Sequence, residues 1–152
     1  MKKSKIIAVF RFLSNIKVSK IKDKDVRAAI IGNHLQMYKI AEEYETDIKE
    51  IQKKLFEGKD EDVKSLNELR EKYNLEKDED KKNEIVNIIK DNYGEILKLE
   101  KEVADAMGTR LKEEKEINIK KVNKDAFIDA LIDAEIDVTP SDLIELSDLF
   151  ND

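Results

Sequence analysis

Few side chains in this chain are able to carry chemistry. It has 152 residues with one histidine and no cysteine, which excludes a multi-histidine metal site, a thiolate zinc site and a thiol nucleophile within one chain. The one histidine, His34, has Met37 and Tyr38 three and four residues further on, with no serine or second histidine there. We interpret His34 as a packed or boundary histidine and predict no catalytic role for it.

Acidic residues near the carboxyl end alternate like the first ligands of a calcium loop, over positions 133 to 141. Val138 stands where such a loop needs glycine, and Ile144 stands where it needs glutamate. We therefore interpret these acids as helix ends and caps. The four glycines are isolated, at positions 32, 58, 94 and 108, which excludes a glycine-rich phosphate loop. The sequence thus predicts no enzyme, no cofactor and no metal.

Composition favours long helices in a single domain over residues 1–152. Charged residues make up 42% of the chain and apolar residues 40%, with only four glycines and one proline. No apolar stretch of about 20 residues exists, so no membrane-spanning helix is expected. The apolar run IIAVF near the start has five residues before Arg11, too few for a signal peptide. We expect a cytoplasmic protein.

Charge is concentrated at the two ends of the chain. Residues 1–24 hold eight Lys or Arg and one Asp, a net charge of +7, whereas residues 125–152 hold nine acids and no base. This polarity predicts attraction within the chain or between copies. Phe10 and Phe12 lie among the cations and could approach phosphates, but the net charge of −6 for the whole chain makes nucleic acid an unlikely main partner.

Apolar spacing predicts two long helices, over about 25–56 and 83–115, because residues recur alternately four and three positions apart. The first seam is Ile30, His34, Met37, Ala41, Tyr44, Ile48, Ile51 and Leu55, and the second is Ile85, Ile89, Asn92, Ile96, Leu99, Val103 and Ala106. We predict that the two helices pair antiparallel, with Asn92 fixing the register. Ile31, Tyr38 and Ile40 widen the first seam, which predicts a second neighbour there.

Shorter elements complete the predicted fold. A helix is expected over 3–14, although alternation leaves a strand open for residues 6–20, and a weaker helix is expected over 60–75. The stretch EINIKKV, residues 116–122, has a strand signature. Helices follow over 124–134 and from Thr139, where a threonine cap precedes proline. The predicted fold is mainly α: a basic segment 1–24, a long antiparallel coiled-coil-like hairpin over 25–115, and a strand plus two short acidic helices over 116–152. The two termini and the short β element are expected to form a small head at one end of the hairpin.

This layout resembles a family of small uncharacterised proteins of tailed bacteriophages. The resemblance rests on the short N-terminal helix FRFLSNIKVSK, the long charged helix starting DVRAAIIGNHLQMY, the strand EINIKKV and the tail VTPSDLIELSDLF. The chain departs from the family pattern by its basic first 24 residues and by a long middle insertion at about 57–84. Since the family has no established catalytic residues, the resemblance implies none here.

These observations predict a non-enzymatic phage accessory or assembly protein that acts through helix-mediated protein binding, in the host cytoplasm or the virion. The alternative is an anti-defence inhibitor that binds a host nuclease or sequesters a signalling nucleotide. Two seams leave apolar positions uncovered, which predicts self-association or a protein partner. The candidate interface residues are Phe10, Phe12, Ile40, Ile88, Leu97, Leu146, Leu149 and Phe150.

Overall fold

The protein is mainly helical, as predicted. The structure is a computed structural model that describes residues 1–151, and 76% of the chain is helix. Within the described residues the seven α-helices are α1 Lys3–Ser14, α2 Lys24–Leu55, α3 Asp60–Leu75, α4 Glu79–Asn92, α5 Gly94–Lys112, α6 Lys124–Asp133 and α7 Pro140–Glu145. Two short 3-10 helices cover Val18–Lys20 and Ser147–Leu149. Residues 6–20 therefore contain no strand.

The chain divides into two compact units. Unit 1 combines Met1–Glu45 with the residues from Arg110 onward, and unit 2 is Thr46–Thr109. These boundaries fall inside α2 and α5. Buried residues from the first half of α2 share the core of unit 1 with residues from both ends of the chain.

Unit 1 has a continuous apolar core. Its buried members are Ile6, Val9, Leu13, Ile16, Ile21, Val26, Ala29, Ile30, Met37, Val122, Phe127, Ala130, Leu131, Ala134, Leu146, Leu149 and Phe150. The rings of Phe127 and Phe150 meet edge to face, with their centroids 5.4 Å apart, an arrangement that adds to the free energy of burial. Helix α1 packs against α7.

Ion pairs within unit 1 join the basic head to the acidic tail, so the predicted intramolecular attraction is confirmed. The pairs are Lys5–Asp148 at 2.6 Å, Lys20–Glu135 at 3.5 Å and Lys22–Asp133 at 3.9 Å. All three are largely solvent-exposed, and exposed pairs of this kind contribute about 0–1 kcal/mol each. Their main consequence is that part of the positive charge of residues 1–24 and part of the negative charge of residues 125–152 are paired within unit 1.

The segment 116–122 is extended but is not a strand of a sheet. The described residues contain only two isolated bridges, Lys2 to Glu114 and Val122 to Phe150. The predicted β element is therefore not confirmed, and the backbone at Lys120 bonds to a side chain instead of a strand. The buried Asn33 of α2 donates from its amide nitrogen to Lys120 O at 2.9 Å, and its Oδ1 accepts from Lys120 N at 2.8 Å.

The predicted second long helix is interrupted at Tyr93, where φ is −120°. Helix α4 ends at Asn92 and α5 begins at Gly94, so a continuous helix over 83–115 is wrong. Glycine disfavours a helix interior, which explains the position of the break. Asn92 is exposed, and its side chain donates to Ile88 O of its own helix at 3.1 Å. It therefore does not fix a register across an apolar seam.

Side chains cap the starts of several helices, and the predicted cap at Thr139 is confirmed. Asp23 Oδ1 accepts from the amides of Asp25 and Val26 at the start of α2, both at 2.9 Å. Thr139 and Asp142 form the reciprocal capping box of α7, with Pro140 at the first helical position. The hydrogen bonds from Thr139 lower the pKa of Asp142. These caps satisfy amides that the first turn of a helix leaves without partners.

Helix α6 ends in a Schellman motif that carries glutamate where glycine is usual. Ile136 N donates to Leu131 O and Glu135 N donates to Ile132 O, both at 2.9 Å. Glu135 has φ of 58°, the left-handed region. A side chain costs about 1–2 kcal/mol there.

Replacing Glu135 by glycine is expected to stabilise the protein by about 0.5–1 kcal/mol, because glycine adopts a positive φ without steric strain. The exposed ion pair between Glu135 and Lys20 contributes little to the free energy of unfolding, so its loss does not offset this gain. Chemical denaturation of Glu135→Gly measures the change, and Glu135→Ala is the control, since alanine removes the carboxylate but keeps the strain. A glycine variant no more stable than the alanine variant would contradict this explanation.

Unit 2 buries few side chains. They are Ile48 of α2, Leu66 of α3, and Ile96 and Val103 of α5. Helices α3 and α4 pack against each other.

Paired charges also hold unit 2 together. The guanidinium of Arg70 makes two hydrogen bonds, of 2.8 and 2.7 Å, to the two carboxylate oxygens of Glu100. This pairing raises the pKa of Arg70 and lowers the pKa of Glu100. Bidentate geometry fixes the direction of approach as well as supplying attraction. It therefore orients α3 relative to α5.

A buried lysine anchors the start of α1. Lys3 is 3% exposed, and its Nζ lies 2.8 Å from Glu113 Oε2. The backbones also join, since Lys3 N donates to Glu113 O at 2.8 Å. The hydrogen bond from Lys3 lowers the pKa of Glu113. A buried ammonium without this partner would be costly.

Glu113→Gln is expected to destabilise the protein at pH 7. A carboxyl with a lowered pKa in the folded state stabilises the protein above its ordinary pKa, and this contribution disappears as the pH falls through the lowered value. The difference in the free energy of unfolding between wild type and Glu113→Gln should therefore shrink below about pH 4. Urea denaturation at several pH values measures it. The exposed neighbour variant Glu114→Gln should show no such dependence, and a difference that persists at low pH would contradict the ion pair's role.

Candidate functional site

An exposed apolar surface lies on α2 in unit 1. Ile31, Leu35 and Tyr38 are 42%, 61% and 45% exposed. Their spacing of four and three residues places them on one face of the helix. The buried seam of the same helix, which includes Val26, Ile30, Met37, Ala41 and Tyr44, lies on a different face. The three exposed residues are therefore not needed to fill the core.

Charged residues extend this surface at both ends. Lys24 and Arg27 precede it, and Glu42 and Glu45 follow it, again at spacings of three and four residues. We call this set, together with His34, the outer α2 stripe: Lys24, Arg27, Ile31, His34, Leu35, Tyr38, Glu42 and Glu45. The stripe is thus basic at its amino-terminal end, apolar in the middle and acidic at its carboxyl-terminal end.

Grooves flank Leu35 on both sides. One, of 220 Å³, is lined by the end of α1 and the residues after it, among them Ser14, Ile16 and Val18, and by His34 and Leu35. The other, of 420 Å³, lies between Leu35 and the extended segment at Ile117. Leu35 therefore projects between two depressions, a shape that suits the seating of a partner's apolar side chains.

His34 is held by α1, as a packed histidine at the edge of the core. Its Nε2 lies 3.0 Å from Ser14 Oγ, and its ring centroid lies 4.8 Å from that of Phe10. The Ser14 hydroxyl also donates to Phe10 O at 2.8 Å, so Ser14 links His34 to the last turn of α1.

Tyr38 is tied to the acidic end of the stripe. Its hydroxyl donates to Glu42 Oε1 at 2.9 Å. The hydrogen bond to Glu42 and the negative charge of that residue raise the pKa of Tyr38, with a smaller contribution from Glu45. The ring also lies 6.2 Å from Phe10. The phenol therefore stays neutral and keeps its hydrogen-bond donor.

Glu42→Gln is expected to move the pKa of Tyr38 back toward its ordinary value, because a neutral amide neither repels the phenolate nor requires the phenol's hydrogen as strongly. Absorbance titration of the tyrosines measures the shift. Glu43→Gln, one residue along and on another face, is the matched control. A titration curve that is unchanged in Glu42→Gln but shifted in Glu43→Gln would contradict the assigned bond.

Three predicted interface residues lie in the core. Leu146, Leu149 and Phe150 are 0%, 1% and 6% exposed, so none of the three is available on the surface of unit 1. The cause is the bridge at Val122, whose N donates to Leu149 O at 2.9 Å and whose O accepts from Asn151 N at 3.0 Å. This bridge turns the apolar side chains of the tail inward.

The other predicted interface residues are spread over the two units. Phe10, Phe12 and Ile40 are half-buried and pack against the core of unit 1. In unit 2, Ile88 is 43% exposed and Leu97 is half-buried. Among these five, Phe10 packs its ring against His34 and Tyr38 of the outer α2 stripe.

Sequence reasoning missed Leu35 and Ser14. Ile31 and Tyr38 were expected to face a second neighbour within the fold, but they face solvent. The signal for the stripe is the spacing of Ile31, Leu35 and Tyr38 between residues of opposite charge. The contact between Ser14 and His34 joins residues 20 positions apart, which no local pattern reveals.

Within residues 1–151, no group of three or more acidic or histidine side chains is gathered as a metal ion would require. None of the helices described has both the length and the apolar character needed to cross a bilayer. Comparison with protein-family models, curated proteins and solved structures gives no match.

Proposed function

We propose that this is a non-enzymatic protein that acts by helix-mediated protein binding, with the outer α2 stripe as its contact surface. The observation that carries the proposal is the exposure of Ile31, Leu35 and Tyr38 on one face of a helix whose other face is buried. Aromatic and aliphatic side chains projecting beside grooves are typical of binding surfaces. A role as a phage accessory or assembly protein agrees with the resemblance described above.

The proposal keeps only the part of the predicted long hairpin that lies in unit 2. Within unit 2, Ile48 of α2 and Ile96 and Val103 of α5 are buried, and the proposal is that these parts of the two helices pair antiparallel. Such a pairing would leave the first half of α2 for the core of unit 1 and for the outer α2 stripe.

The anti-defence alternative has weaker support. It rests on the small size of the chain and on its polarised charge, and three of the nine acids of residues 125–152, namely Asp133, Glu135 and Asp148, are each close to a lysine of the basic head. A surface that imitates nucleic-acid phosphates needs acids that are not already matched.

Photo-crosslinking tests the proposed function. A photoreactive residue at Leu35 in bacterial cells that produce the protein should form a defined protein adduct. The matched control position is Ile144, which is 74% exposed in unit 1 but lies on α7. The proposal is supported if an adduct forms at position 35 but not at position 144. The adduct at position 35 should also disappear when the substitution Ile31→Lys is added. No adduct at position 35, or equal adducts at both positions, would contradict it.

A further inference from the structure

Resting on the proposed function, we infer that the partner of the outer α2 stripe is the same stripe of a second copy, packed antiparallel in a twofold dimer. The stripe runs from Lys24 to Glu45, about 32 Å along the helix. Its charge changes sign from one end to the other, with an apolar centre between. A surface with this symmetry complements itself when one copy is reversed.

The residue positions fit this arrangement. If a twofold axis passes between positions 34 and 35, each residue of one copy faces a residue of the second copy. The numbers of the two facing residues then sum to 69. The facing pairs are Lys24 with Glu45, Arg27 with Glu42, Ile31 with Tyr38, and His34 with Leu35. Each base thus faces an acid, and each apolar side chain faces an apolar or aromatic one.

A parallel dimer does not satisfy the same surface. It would place Arg27 against Arg27 and Glu42 against Glu42 of the second copy, and like charges at a contact are destabilising. The stripe therefore specifies the antiparallel orientation as well as the partner. The outward acids and bases also make the association dependent on ionic strength, since partly exposed pairs weaken with salt.

Charge reversal provides the first arm of the test. Arg27→Glu and Glu42→Arg each place like charges opposite one another twice in the dimer. Each variant alone is expected to sediment as a monomer at concentrations where wild type is a dimer. An equimolar mixture of the two variants should dimerise, because both contacts then join opposite charges. Glu43→Arg, exposed on a neighbouring face, should dimerise like wild type.

Crosslinking provides the second arm. Because the chain has no cysteine, Ile31→Cys and Tyr38→Cys each introduce one unique thiol. A thiol crosslinker with a reach of about 8–10 Å, the usual distance between packed helix axes, should join the two variants when they are mixed. Each variant alone should give little product. Circular dichroism of every variant checks that the fold is retained.

The outcomes separate the two proposals. Failure of the mixture to dimerise, or crosslinking of each cysteine variant to itself, would overturn the antiparallel dimer. A wild type that stays monomeric up to about 1 mM, a range that would reveal even a weak dimer, would also overturn it. If the adduct at Leu35 in cells then contains a different protein, the proposed function stands without the dimer. If no adduct forms there, both fail.

Discussion

Phe127→Ala is expected to lower the free energy of unfolding by about 3–5 kcal/mol, the range for removing a buried aromatic side chain. Phe127 is 1% exposed in the core of unit 1. Its loss removes apolar burial and also the edge-to-face contact with Phe150. The surrounding helices come from both ends of the chain, so they cannot close the cavity without moving several elements.

Urea denaturation measures this loss, with Phe127→Leu as the control that keeps most of the apolar volume and should cost clearly less. Hydrogen exchange should show faster exchange in α6, which carries Phe127. If Phe127→Ala costs under about 1 kcal/mol, within the range of exposed substitutions, the core described here is wrong.

Asn33→Ala is expected to cost about 2–4 kcal/mol, because it leaves two backbone groups of Lys120 without their partners in a partly buried place. The side chain of Asn33 makes the backbone hydrogen bonds to the segment 116–122 that a neighbouring strand would make in a sheet. Its removal should therefore loosen the segment as well as lower stability.

Exchange of the Lys120 amide is the direct readout, since its hydrogen is bonded to Asn33 Oδ1. Asn118→Ala is the matched control, because Asn118 is an exposed asparagine on the same segment. Asn33→Asp keeps the acceptor but brings a carboxylate against Lys120 O, so it should not restore wild-type stability. Unchanged protection of Lys120 in Asn33→Ala would contradict the proposed anchoring.

The elements that follow local rules could be predicted from the sequence. The helices over α1, α2, α3, α6 and α7 were each predicted, since their apolar residues recur with the helical period and Thr139 marks the start of α7. The mainly α class followed from the same patterns. These features depend on neighbours only a few residues away.

The errors have two causes, one local and one long-range. Locally, Tyr93 and Gly94 interrupt a seam whose spacing alone predicts one continuous helix. The alternation in EINIKKV correctly indicates extended backbone, but its hydrogen-bond partner is a side chain 87 positions away.

The candidate site was predicted least well, because exposure depends on which of two apolar faces of α2 the rest of unit 1 covers. Periodicity shows that a helix has apolar residues on a wide face. The seam correctly included Met37, which is buried, but it did not show that Leu35 beside the seam would remain 61% exposed. The same uncertainty placed the buried Leu146, Leu149 and Phe150 at an expected interface.

The central claim is that Leu35 lies at the centre of a surface that another protein chain covers in the cell. Leu35→Cys and Ile144→Cys each place one thiol at an exposed aliphatic position in a chain without cysteine. In dilute purified protein, both thiols should be alkylated rapidly. In cells that produce the protein, alkylation at position 35 should slow by about tenfold, since about 90% occupancy leaves about a tenth of the thiols accessible, while position 144 stays reactive. Equal alkylation at the two positions in cells would contradict the account.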